Sequence, residues 1–288
     1  MSIDTIHTAL MEVADDGEDT IALAEGLSLV RPNDQLLSHR WDWAQGKGEM
    51  DEEETASRYL LCEYEQYLPG EEIRLAPERG ANRFYTGLMA FQVIKPVRTL
   101  GFVYRRQQIE RRPPMQPGRW AMANKFDAAM LAEVPAMIQR IQPVMEGSNV
   151  EAKNALTLLQ LGLEHFHPYI AGLLWVTGIE AIFDSGGREE FKKKLCDCLG
   201  SQAMAFPNWH SVPDAPAYTV EEVSIPLYML RNKLAHGADL RSALGDKKFP
   251  TDFGKTVDVT QFGETINYAL LLSEAACYLL CQVLRAVL

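Results

Sequence analysis

The sequence predicts an α+β domain over residues 1–120 and an all-α helical bundle over residues 121–288. Three observations carry this reading. Before residue 105, short segments rich in strand formers follow a helix-like run. Next comes Arg111-Arg112-Pro113-Pro114-Met115-Gln116-Pro117-Gly118, dense in helix breakers and suited to a linker. From Asn124 onward, apolar residues recur at helical spacing between recognisable caps.

In the first part, Asp51–Leu68 opens on four acids and stops at Pro69-Gly70, both marks of a helix. Glu72–Leu75, Phe84–Ile94 and Val97–Tyr104 read as strands, the last two joined by a Lys95-Pro96 turn. In the second part, Asn124–Gln142 reads as a helix kinked or divided at Pro135. Asn149–Phe183 is a long helical stretch with a break expected around His167-Pro168. Ser185 is placed to N-cap a helix over Arg188–Ala205, and a Pro-rich loop runs from Pro207 to Pro216. Thr219-Val220-Glu221-Glu222 fits a capping box, and Gly237 sits where a left-handed C-terminal cap belongs. A polar stretch, Ala238–Asp258, leads to a final apolar helix. No period of 20–50 residues repeats along the chain.

The net charge of -11 argues against a surface coated in basic charge for non-specific nucleic-acid binding. It is unevenly spread. Residues 1–78 carry 5 basic and 19 acidic side chains, residues 79–125 carry 10 and 1, and the remainder carries 13 and 19. Lys95–Arg119 holds Arg98, Arg105, Arg106, Arg111, Arg112 and Arg119, interleaved with Phe102, Tyr104 and Trp120. That pattern suits phosphate contacts with base stacking, and it equally suits pairing with the acid-rich head.

Five cysteines, an odd number without a secreted disulfide spacing, and an acidic N-terminus lacking a basic leader point to a cytoplasmic protein. Cys277 and Cys281 read as small buried hydrophobes, and Cys196-Asp197-Cys198 has no second pair to complete a zinc set. Ile170–Phe183 is too short for a membrane span. Tyr268–Leu288 is long enough, but Glu274, Gln282 and Arg285 form one polar stripe on it. A core helix with one wet edge, outside any membrane, fits better.

Absent motifs narrow the chemistry. There is no GxxxxGK[ST], no GxGxxG opening a helix, no HExxH and no GxSxG. His165 and His167, two apart, point in opposed directions on a helix and read as structural. Gly186-Gly187-Arg188 before a helix can bind an anion through backbone N–H groups, and glycines simply joining two helices explain it too. Lys192-Lys193-Lys194 reads as a solvated face. No cofactor is expected.

One motif stands apart. Leu227–Gly237, LYMLRNKLAHG, resembles the RxxxxH motif of the HEPN superfamily, with a polar residue directly after the arginine. The longer stretch SIPLYMLRNKLAHG is similar to the Apea-like HEPN group, in which a tyrosine precedes the RN and a glycine follows the histidine. Trp175–Phe183, WVTGIEAIF, matches the helix in which that group carries a glutamate. The likeness covers residues 150–288, and some Apea-like proteins place a separate domain before it. It implies a HEPN-like bundle that forms a homodimer, with both motifs at the shared interface. It further implies a metal-independent endoribonuclease acting on RNA in antiviral defence or as a toxin.

The side chains support that chemistry on their own. Cleavage of RNA by its own 2′-hydroxyl needs an acid or base near neutral pH and a cation for the developing phosphorane charge. His236 suits the first task. Arg231 suits the second through its planar, permanently charged fork. Asn232 can bind a phosphate or orient the histidine one turn away, and Tyr228 shares the Arg231 face. Five residues at 100° put Arg231 and His236 about 140° apart on a straight helix. They converge only if the helix ends by His236, or if a second subunit completes the site. Glu180, costly to leave unpaired in an apolar helix, reads as a buried partner for Arg231 or another cation. Two other readings remain. An Arg and a His in the last turns also complement a helix dipole, and a non-catalytic dimerisation or nucleotide-binding module with a regulatory N-terminal domain has the same features.

Overall fold

A computed structural model describes residues 3–10, 13, 18–31, 58–65, 75–99, 102–105, 108–111, 126–165, 167–205, 218–237, 256–259 and 264–288. The chain divides into two compact units. The first holds residues 1–117 and 125–148, and the second holds residues 118–124 and 149–288.

In the first unit an antiparallel sheet runs in the order β2-β3-β4-β1-β5-β6. Its strands are β1 (Ile3–Leu10), β2 (Thr20–Ala24), β3 (Leu27–Val30), β4 (Arg58–Glu65), β5 (Phe102–Arg105) and β6 (Gln108–Arg111). Strand β4 corrects the helix expected over Asp51–Leu68, of which residues 51–57 and 66–68 lie outside the described residues. Arg58, Tyr59 and Leu60 are all buried, and alternation begins after them: Cys62 and Tyr64 are buried, while Glu63 is exposed. The strand is therefore buried on both faces at its Arg58 end and on one face toward Glu65.

Helix α1 (Leu75–Ile94) corrects the strand expected over Phe84–Ile94. Leu, Met and Ala in that stretch are good helix formers, and Phe84, Phe91, Val93 and Ile94 are buried in the core from the helix. Two glycines on α1 explain how closely it approaches the sheet. A Cβ on Gly80 would lie 2.5 Å from the Tyr64 ring, and one on Gly87 would lie 2.5 Å from Leu27 Cδ2. Helix α2 (Ala128–Met145) packs on α1 and belongs to this unit, so the helical bundle begins after it rather than near residue 120. Asp127 N-caps α2, accepting from the Met130 N–H at 2.8 Å.

Gly26 turns β2 into β3 with φ +65°, and a Cβ there would lie 2.5 Å from the Glu63 carbonyl oxygen. Gly26→Ala is expected to destabilise this unit by about 1–3 kcal/mol, since strain and overlap act together. Urea denaturation checks it, and an unchanged midpoint would mean the turn relaxes freely.

The second unit contains α3 (Val150–Leu163), α4 (Pro168–Phe183), α5 (Arg188–Leu199), α6 (Val220–Ala235), the hairpin β7 (Thr256–Val259) and β8 (Glu264–Asn267), and α7 (Tyr268–Val287). The expected break is present: α3 ends at Leu163, and α4 starts with His167 as N-cap and Pro168 at its first position. Helix α5 ends at Leu199 and is capped by Gly187, which makes no side-chain bond, so Ser185 is not its cap. Glycines again set the spacing between helices. Gly162 on α3 faces the Trp175 indole on α4, and Gly178 on α4 faces Leu280 on α7. Cys277 and Cys281 are fully buried in α7. No helix among the described residues is long and apolar enough to cross a membrane.

Candidate functional site

Helix α6 positions the RxxxxH motif, and both its ends are fixed locally. At its start, Thr219 Oγ1 accepts from the Glu222 N–H at 3.3 Å, while the Glu222 carboxylate accepts from the Thr219 N–H at 2.8 Å. At its end, His236 is the C-cap, donating its backbone N–H to the Asn232 carbonyl at 3.1 Å. Gly237 follows at φ +77° and donates to the Leu234 carbonyl at 3.0 Å. The helix therefore stops where the His236 side chain leaves it.

Arg231 and His236 point to different surroundings. Arg231 reaches α4, where its Nη2 lies 2.7 Å from Glu180 Oε2. Glu180 Oε2 and Arg231 Nε are both buried and make no hydrogen bond among the described residues, so the contact between the two side chains is ionic. The Arg231 Nη1 donates to Asn232 Oδ1 at 2.8 Å, and its guanidinium carbon sits 6.0 Å from the Tyr228 ring centroid. Tyr228 in turn packs on Phe191 of α5, ring centroids 5.5 Å apart. Phe191 is fully buried, so Tyr228 is held from beneath by α5 and flanked by Arg231.

His236 is exposed and lines an open cleft of about 440 Å³ with Arg188, Tyr228, Met229, Asn232 and Lys233. Positions 228, 232, 236, 229 and 233 spread over about 140° of the helix, and Arg231 lies about 60° beyond Tyr228, on the side away from His236. Within one chain the cleft gathers His236, Asn232 and Tyr228, while Arg231 and Glu180 are not among its lining residues. Met229 and Lys233, to which the sequence assigned no role, lie beside Asn232 and His236 on the helical wheel and line the same cleft. Arg188 comes from α5, and only the packing of α5 on α6 brings it in.

Burial pushes the Glu180 carboxyl above its ordinary value of 4.5, with the Arg231 charge opposing the rise. Between 4.5 and that raised value the folded chain holds a proton that the unfolded chain has released. The contribution of Glu180 to stability is complete below 4.5 and is lost as pH rises through the folded value. Glu180→Gln mimics the protonated form and is expected to flatten that part of the stability–pH curve. Denaturation of both proteins between about pH 4 and 7 tests this, and parallel curves would remove Glu180 as the source.

The basic segment of the first unit is described only in part. The backbones of Arg105 and Arg111 lie in β5 and β6, with Arg105 opposite Ile6 of β1. Arg106, Arg112, Arg119 and Trp120 lie outside the described residues, as do most of the Arg111–Gly118 linker and the Pro207–Pro216 loop. Lys95, at the head of that segment, is 2% exposed and cannot serve a surface contact. Comparison with family models, with curated protein sequences and with solved structures found no match for the chain.

Proposed function

We propose that the second unit is a HEPN-type, metal-independent endoribonuclease that works as a homodimer. The observation that supports this most directly is His236, exposed at a helix end in a cleft it shares with Asn232, Lys233 and Arg188. In this reaction the RNA 2′-hydroxyl loses its proton to a base and attacks the adjacent phosphorus. The bond to the 5′-oxygen breaks, and that oxygen takes a proton from an acid. The products are a 2′,3′-cyclic phosphate and a 5′-hydroxyl. His236 is the side chain suited to carry those protons near neutral pH.

Arg231 supplies a positive charge that Glu180 and Tyr228 hold in one orientation, so little ordering is left for the moment of reaction. Because Arg231 and His236 occupy different faces of α6, a second copy of the helix is the economical way to bring one chain's arginine to the other's histidine. Such a dimer also provides two histidines, one for each proton transfer. An antiviral or toxin role follows from the sequence resemblance, and the first unit is then the sensing or target-binding part.

The test incubates purified protein with labelled single-stranded RNA in EDTA. Wild type should cleave, and Arg231→Ala and His236→Ala should not. Equal products from all three would end the reading for that RNA, and a monomer at micromolar concentration would count against the shared site. A non-catalytic dimerisation or nucleotide-binding module is the second reading. The Glu180–Arg231 pair favours it, since that pair also makes structural sense without a reaction.

A further inference from the structure

We infer that the cleft between α5 and α6 is a phosphate subsite in which Arg188 holds the RNA phosphate neighbouring the one presented to His236. The inference rests on the ribonuclease reading and concerns how substrate is positioned. Three basic side chains, Arg188, Lys233 and His236, line the cleft from two helices, and no carboxylate is among its lining residues. Tyr228 and Met229 supply an apolar wall against which a ribose or base can lie. The volume, about 440 Å³, falls in the range of small-ligand sites.

Arg188 is well placed for this task. It is the first residue of α5, and the junction before it is fixed. The Gly186 N–H donates to Glu190 Oε2 at 2.8 Å, and Lys194 Nζ donates to the Phe183 carbonyl at 2.6 Å. Its own partner is Glu189, with Nε to Oε1 at 3.2 Å and side chains 54% and 72% exposed. An ion pair that open to water exchanges readily for a phosphate. The arginine fork can grip two phosphate oxygens at once, which an ammonium cannot. Lys233, on α6, adds a point charge beside Asn232 and His236.

Arg188 is therefore a positioning residue, and its removal should act on binding rather than on the chemical step. With a labelled single-stranded oligoribonucleotide in EDTA, Arg188→Ala is expected to raise KM about tenfold or more while kcat stays within about twofold, as for loss of one charge-assisted contact. Affinity for the same sequence in uncleavable 2′-O-methyl form should fall equally. The slope of log affinity against log salt should shrink by about 0.7, the share of one single-strand phosphate contact. Arg188→Lys should restore the slope but only part of the affinity. If wild type cleaves and Arg188→Ala changes neither KM nor slope, the subsite is refuted and the ribonuclease reading stands. If wild type neither binds nor cleaves any RNA offered, the ribonuclease reading fails and the subsite fails with it.

Discussion

Replacing His236 by alanine is expected to slow RNA cleavage by about 10²- to 10⁴-fold, the contribution of a positioned general acid or base, with no loss of stability. The second half of that expectation follows from where the residue sits. His236 caps α6 through its backbone N–H, its side chain is exposed, and Gly237 carries the left-handed turn. Truncating the imidazole therefore removes chemistry and leaves packing alone. Arg231→Ala is a different experiment. It should cost about 10²- to 10³-fold in rate if the guanidinium stabilises phosphorane charge, and it also strips Glu180 of its cation. The double variant Arg231→Ala with Glu180→Gln separates the two effects, because the neutral amide no longer needs a partner. Rates that recover in the double variant would assign Arg231 to structure. Rates that stay low while stability recovers would assign it to catalysis. Single-turnover cleavage and denaturant midpoints, measured on the same preparations, decide between them.

How much of this was legible in the sequence depends on how local each signal is. Helix ends were readable because caps are short-range chemistry. Thr219 with Glu222, Pro168 after His167, and Gly237 after His236 all behave as their residue types require. The extended segments were not readable in the same way. Arg58–Glu65 and Phe84–Ile94 hold mixed apolar and aromatic residues, and only the sheet beside them decides between strand and helix. In α1, Gly80 and Gly87 let the helix lie close against Tyr64 and Leu27. No pattern within eleven residues reports such a contact. The same limit governs the candidate site. Asn232 lies one turn before His236 and Tyr228 one turn before Asn232, so the spacing within one helix places them near one another. Arg188 belongs to the preceding helix α5, and its place beside His236 depends on Phe191 packing against Tyr228. Side chains that meet only through tertiary packing leave no mark in linear order.

Trp175→Ala is expected to destabilise the second unit by about 3–5 kcal/mol, a large share of the 5–15 kcal/mol that holds a typical protein folded. Trp175 is 4% exposed, and its Nε1–H donates to the Leu159 carbonyl at 3.2 Å, tying α4 to α3. The indole lies against Gly162, where even a methyl group would overlap it, so the ring fills a slot made by a missing side chain. Alanine at 175 opens a cavity that neither helix can easily close, because α4 is also held to α7 where Gly178 faces Leu280. Trp175→Phe keeps most of the volume and loses the hydrogen bond, so it should cost about 1–2 kcal/mol. The functional consequence is indirect but specific. Helix α4 carries Glu180, and a loosened α3–α4 pair releases the carboxylate that orients Arg231. Cleavage by Trp175→Ala should therefore fall at temperatures well below its melting point, whereas Trp175→Phe should track its unfolded fraction. Denaturant titration of each variant, paired with cleavage rates against temperature, tests both halves. A loss below about 1 kcal/mol for Trp175→Ala would mean the slot refills and that α4 is not held at this point.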